Sequence, residues 1–105
     1  MRWRASPETG EDLIAGRDFI AADNEQAARD FLDAAFEAFD RLSQFPEMGP
    51  RARFKHRALK GVRFFVLAPP FHRWLVFYQP VGKDVEIKRV LYRNVNWREE
   101  PERFF

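Results

Sequence analysis

The chain has 105 residues, 46% of them hydrophobic, with 12 Phe, no Cys and a formal net charge of +2. That length and apolar content fit one domain with one core (residues 1–105) and argue against disorder; the missing Cys excludes disulfides, Cys-ligated metal and thiol chemistry. The N-terminal "MRWRASPETGEDL" lacks the apolar core of a signal peptide, and no apolar run approaches the roughly 20 residues that span a bilayer, so a cytoplasmic protein is expected.

Residues 2–5 alternate and predict a short strand. Ser6-Pro7 then reads as an N-cap with Pro at the first helical position, opening a helix over Pro7–Ala22 with Leu13, Ile14, Arg17 and Ile20 along one side. Asp23 or Asn24 caps the next helix, predicted over Glu25–Gln44. Ala28, Phe31, Leu32, Ala35, Phe36, Phe39 and Leu42 recur there at three- and four-residue steps, the strongest periodic signal in the chain. "FPEMGPR" (45–51) ends that helix with two prolines and a glycine. Three strands follow, at 62–68, 73–79 and 84–92, joined by "APPFH" and "PVGKD", which suit hairpins. The order β-α-α-β-β-β predicts an α+β domain, a two-helix hairpin packed on one face of a small antiparallel sheet.

Charge is unevenly distributed along this order. Residues 1–50 carry five Lys/Arg against eleven Asp/Glu, residues 51–105 thirteen against five, and no acid lies between Glu47 and Asp84. The stretch from Pro50 to Phe65 concentrates Arg51, Arg53, Lys55, Arg57, Lys60 and Arg63. Such polarity steers a protein onto an anionic partner, or lets basic strands complement acidic helices within one fold. In the last strand Val85, Ile87 and Leu91 share a face by period two, and Arg89 falls on that same face. A charge in that position requires a partner, a place past the edge of the core, or a bulge that resets the register.

At this point the chain resembles the ParE/RelE toxins of bacterial toxin–antitoxin systems, the ParE branch more closely. The likeness spans about residues 3–97 and rests on Ser6-Pro7 followed by Asp12-Leu13, Phe45-Pro46 with Met48-Gly49, Leu59-Lys60-Gly61-Val62-Arg63, Val76-Phe77-Tyr78, and Glu86-Ile87-Lys88-Arg89-Val90-Leu91. After "RVL" ParE relatives usually place His-Gly, whereas this chain has Tyr92-Arg93. The resemblance implies the fold reached above and a growth-arresting toxin. ParE-type members poison DNA gyrase by binding, with no cofactor and no chemistry of their own, and serve plasmid stabilisation. It also implies a hetero-oligomer with a ParD-like antitoxin whose acidic, flexible segment folds onto the toxin, and DNA contact through that antitoxin. RelE-type members instead cut mRNA on the ribosome.

A binding poison needs Arg, Trp and Tyr hot spots, which Arg89, Tyr92, Arg93, Trp97 and Arg98 offer near the C-terminus. An RNase needs a general base, a general acid and cations on the phosphorane. His56 and His72 are the two histidines, each reading as a loop residue with no carboxylate partner in sequence; Arg63, Arg89, Tyr92 and Arg93 are the alternative RelE-like set. Arg51, Arg53, Arg57, Lys60 and Arg63 are candidates for receiving the antitoxin's acidic segment. The basic cluster also suits direct phosphate contact, although no nucleic-acid reading motif accompanies it. Phe104 and Phe105 either fold back onto the sheet or fray.

Overall fold

The computed structural model describes residues 2–105. Strand β1 (Trp3–Ala5) leads into helix α1 (Pro7–Ala21) and helix α2 (Glu25–Gln44), followed by strands β2 (Arg63–Val66), β3 (Trp74–Val81) and β4 (Asp84–Tyr92). The sheet order is β1-β4-β3-β2. The meander β2-β3-β4 is antiparallel, as its hairpins dictate, while β1 pairs with β4 in parallel, so the sheet is mixed. The parallel register follows from the path: β1 feeds directly into a helix, and the chain returns to it only through β4.

Both helix starts are set locally. Ser6 Oγ accepts the Thr9 N–H and Asn24 Oδ1 accepts the Ala27 N–H, each satisfying a donor that the first helical turn leaves free. α2 buries Ala28, Phe31, Ala35, Ala38, Phe39 and Leu42, close to the stripe its sequence predicts. Phe36 differs, remaining 43% exposed against Trp3. α1 differs more. It buries Thr9, Leu13 and Gly16 with Ile20 half-buried, leaving Ile14 and Arg17 exposed. The buried residues step by four, three and four, whereas Ile14 stands about 100° around the helix from Leu13. Gly16 sits where a methyl group would lie 2.8 Å from the Phe31 ring, so its small size sets how closely α1 approaches α2.

The sheet has two apolar faces. Val76, Tyr78, Val85, Ile87 and Val90 join Leu13, Phe31, Phe39 and Leu42 beneath the helices. Leu75, Phe77 and Leu91 point to the other face, into a second cluster with Leu59, Val62 and Trp97. Residues 52–62 and 95–105 build that second layer, contributing half-buried Ala52, Phe54, Val95, Phe104 and Phe105. β3 therefore lies between two cores, which its run of consecutive apolar residues requires. Phe105 packs 5.1 Å from the Phe77 ring, so the C-terminal residues fold back. The acidic helices and residues 52–62 of the basic stretch lie on opposite faces of the sheet, and the polarity of the sequence becomes polarity across the molecule.

Candidate functional site

Arg89 resolves the parity anomaly of β4. Phe77 pairs with Arg89 and Tyr78 with Ile87, so Lys88 is an extra residue in a β-bulge. Val85 and Ile87 therefore face the helices, and Leu91 faces the second cluster. Ser6, at the head of α1, pins the bulge: its N–H donates to the Ile87 carbonyl at 3.0 Å and its hydroxyl to the Lys88 carbonyl at 2.8 Å. β1 pairs only with residues 85–87, which leaves the edge of β4 open beyond them. Asp12 of α1 fills it. Its Oδ2 accepts the Val90 N–H at 3.0 Å, and both carboxylate oxygens accept Arg89 nitrogens at 2.8 Å. Arg89 Nη1 also donates to the Phe104 carbonyl at 2.9 Å, tying the α1 layer to the C-terminal segment. The hydrogen bonds to Asp12 raise the guanidinium pKa above its ordinary value despite partial burial.

Tyr92 lies at the far end of β4, opposite Trp74 and on the helix side of the sheet. Its ring meets Trp74 edge-on at 4.8 Å and Phe19 at 6.4 Å. Together with Asp12, Gly16, Val90 and Asn94 these three aromatics line a cleft of about 560 Å³. Arg93 is exposed, its N–H donating to the Arg73 carbonyl. Trp97 is 4% exposed and packs on the opposite face, 4.9 Å from Phe77 and 5.9 Å from Phe54. The Arg98 guanidinium lies over its outer side, 4.4 Å from the ring centroid. Of the five residues expected to form a target surface, Arg93 and Arg98 present exposed side chains, Tyr92 walls a cleft, and Arg89 and Trp97 are held within the fold.

The RelE-like set is dispersed. Arg63 pairs with Tyr78 and Tyr92 with Trp74, four ladder rows or about 13 Å apart along the sheet. Arg63 Nη1 donates to the carbonyls of Glu47 and Gly49, at 3.2 and 2.7 Å. Arg89 is engaged by Asp12. His56 Nδ1 accepts the Ala58 N–H at 3.2 Å and starts a single helical turn at Arg57–Leu59, and His72 is exposed in the β2–β3 connection. Neither histidine faces a carboxylate hydrogen-bond partner among the described residues.

In the basic stretch Arg51, Arg53 and Lys60 line one depression, and Arg53 and Lys55 line the next. Arg51, Arg53, Lys55, Arg57 and Lys60 are exposed, while Leu59 and, just beyond Lys60, Val62 are buried and Ala52 and Phe54 turn toward the second core. Residues 50–52 run beside the start of β2, with the Phe64 N–H donating to the Pro50 carbonyl at 3.0 Å and the Ala52 N–H to the Val62 carbonyl at 2.9 Å. None of these five cations forms an ion pair among the described residues. Arg63 stands apart, beside a surface formed by exposed Phe45 and Met48 with Pro80 and Gly82.

Sequence reasoning missed one structural centre. Tyr78, fully buried, accepts the Gly49 N–H and donates to the Pro46 carbonyl, both at 2.9 Å, so it fixes the loop that carries Met48 and whose carbonyls receive the Arg63 guanidinium. Burial raises its pKa above the ordinary tyrosine value, outweighing the hydrogen bond from Gly49. The signal was its place in an otherwise apolar strand, where a hydroxyl must find partners.

No curated protein matches the chain. Among solved structures, a protein of the chromosomal ParDE TA system from P. aeruginosa superposes with a TM-score of 0.67 over 88% of this chain and 95% of that one, at 20% identity, a likeness of fold. The sequence family described as "ParE toxin of type II toxin-antitoxin system, parDE" matches residues 4–97. With nearly the whole two-layered domain inside that match, the chain belongs to the ParE toxin family.

Proposed function

We propose that this ParE-family toxin arrests growth by binding DNA gyrase, a type II topoisomerase, and trapping it on cleaved DNA. The observation that carries the reading is the ParE match over residues 4–97. The dispersion of Arg63, Arg89 and Tyr92 supports binding over RNA cleavage, because general acid–base chemistry requires groups within hydrogen-bond reach of one substrate. The target surface centres on Arg93 and Arg98, exposed on the segment that follows β4, with Tyr92 at the adjoining cleft. Arg89 and Trp97 support that surface from inside.

A ParD-like antitoxin neutralises the toxin in a hetero-oligomer. Its acidic segment is drawn to the face bearing Arg51, Arg53, Arg57 and Lys60, and its apolar anchors seat beside Arg63 on Phe45 and Met48. Among the described residues no helix is long and apolar enough to cross a membrane, and a cytoplasmic site of action completes this reading. The test is induction of the chain alone in growing bacteria, with DNA and protein synthesis followed separately. Early loss of DNA synthesis with an SOS response is expected. Early loss of translation with cleaved mRNA would transfer the assignment to a RelE-type endonuclease.

A further inference from the structure

We propose that the face bearing Arg51, Arg53, Lys55, Arg57 and Lys60 binds the phosphate backbone of duplex DNA directly, in the toxin free of any partner. Four observations carry this. The five side chains are exposed and unpaired among the described residues, so phosphates meet no internal competitor. Of the apolar residues between them, Leu59 is buried and Ala52 and Phe54 are half-buried, and each exposed large apolar side chain, among them Phe19, Phe45 and Met48, lies outside residues 51–62. A polyphosphate needs only cations, so in the absence of the antitoxin's acidic segment this face is open to duplex DNA. Arg51, Arg53 and Lys60 line a shallow depression of about 250 Å³ with Phe54, Leu59, Gly61 and Val62, and no acid borders it.

Third, Arg53 has a φ of 57°, in the left-handed region that a long side chain seldom occupies. Strain of this kind is retained where surrounding structure fixes a functional position. Fourth, the acidic helices lie across the sheet, so the molecule's field turns this face toward a polyanion. Arg53 and Lys55 also line a neighbouring depression with Arg98, which Glu99 and Glu102 border, so the contact centres on the acid-free depression of Arg51, Arg53 and Lys60. The inference rests on the gyrase reading in one respect: a toxin acting on a topoisomerase works beside duplex DNA. It departs from the expectation that DNA is met only through the antitoxin.

The experiment is fluorescence anisotropy of a labelled duplex of random sequence, titrated with the purified toxin at several salt concentrations. With five phosphate contacts, log affinity falls against log salt with a slope of about −4.5, roughly a 500-fold loss between about 50 and 200 mM salt. A variant carrying R51Q, R53N, R57Q and K60Q, with Asn chosen because it tolerates the left-handed backbone, keeps its thermal midpoint and binds at least about 10-fold more weakly with a flattened slope. Polyglutamate serves as the rival probe. Capture of polyglutamate without capture of duplex assigns the face to acidic polypeptides and overturns the inference, as does duplex binding that the variant leaves unchanged. Absent duplex binding with intact gyrase inhibition removes this inference alone; duplex binding without gyrase inhibition removes the target assignment alone.

Discussion

Arg89 and Asp12, 77 residues apart, form a bidentate pair with both nitrogen–oxygen distances at 2.8 Å, and the same carboxylate closes the open edge of β4 at Val90. The two side chains are 20% and 12% exposed, so each is expensive to leave alone. Asp12→Ala and Arg89→Ala are each expected to cost about 3 kcal/mol, because the survivor becomes an unpaired charge in a partly buried site. The double variant loses less than the sum of the two. Urea unfolding of the three variants checks this, and strict additivity would show that the pair is not coupled.

Tyr78 makes stability depend on alkaline pH. Its folded-state pKa is raised by burial, so the protonated form is favoured in the native protein. The resulting stabilisation is fully present below the unfolded value of about 10 and is lost as pH rises toward the folded one. Tyr78→Phe leaves the Gly49 N–H and the Pro46 carbonyl without their partner, costing about 1–3 kcal/mol at neutral pH. It also removes the hydroxyl's share of the alkaline decline. Denaturation midpoints at neutral pH and near pH 11 for both proteins measure the two effects together.

Two glycines are fixed by close approach. At Gly49 a methyl group would collide with the Phe64 carbonyl oxygen and lie 2.9 Å from the Tyr78 hydroxyl. Gly49→Ala is expected to lose about 3 kcal/mol or more, since the obstacle is backbone in a paired strand. At Gly16 the obstacle is the Phe31 ring, and the roughly 1 kcal/mol gain in helix propensity offsets part of the overpacking. Thermal unfolding should therefore rank Gly49→Ala well below Gly16→Ala.

Trp97 and its neighbours separate folding from toxicity. Trp97→Ala empties a core position at 4% exposure and should cost about 3–5 kcal/mol. Arg93→Glu changes an exposed side chain and should stay within about 0.5 kcal/mol of the parent, while Arg98→Glu also loses the contact over Trp97 and should cost about 0.5–1 kcal/mol. If the segment after β4 is the target surface, these charge reversals raise survival on induction by 10-fold or more while both variants stay folded at the growth temperature. Undiminished killing by both would move the target surface elsewhere.

The sequence announces some of this plainly and hides the rest for physical reasons. The α2 stripe, the Ser6-Pro7 start and the two hairpins are local signals, and local signals survive into the fold. Arg89 announced itself as an inconsistency in a strand of period two, and the bulge at Lys88 together with Asp12 accounts for it. Ile14 misled because a residue beside a buried stripe and one within it look alike until Gly16 is recognised as part of the contact. The second core was legible only indirectly, in the unbroken apolar run of β3. Its cover comes from Phe54, Trp97 and Phe105, assembled from two distant segments, neither of which has a periodic face of its own. For the same reason Trp97 read as an exposed anchor. The parallel pairing of β1 with β4 joins residues more than 80 positions apart and leaves no local trace.

The most direct measurement of the toxic mechanism is a reaction of purified bacterial gyrase with supercoiled plasmid and this protein. We expect linear, gyrase-linked DNA to accumulate in proportion to the toxin, and to disappear when Arg93 and Arg98 are both reversed to Glu. Unchanged supercoiling and no trapped cleavage at toxin in excess over gyrase would contradict the account.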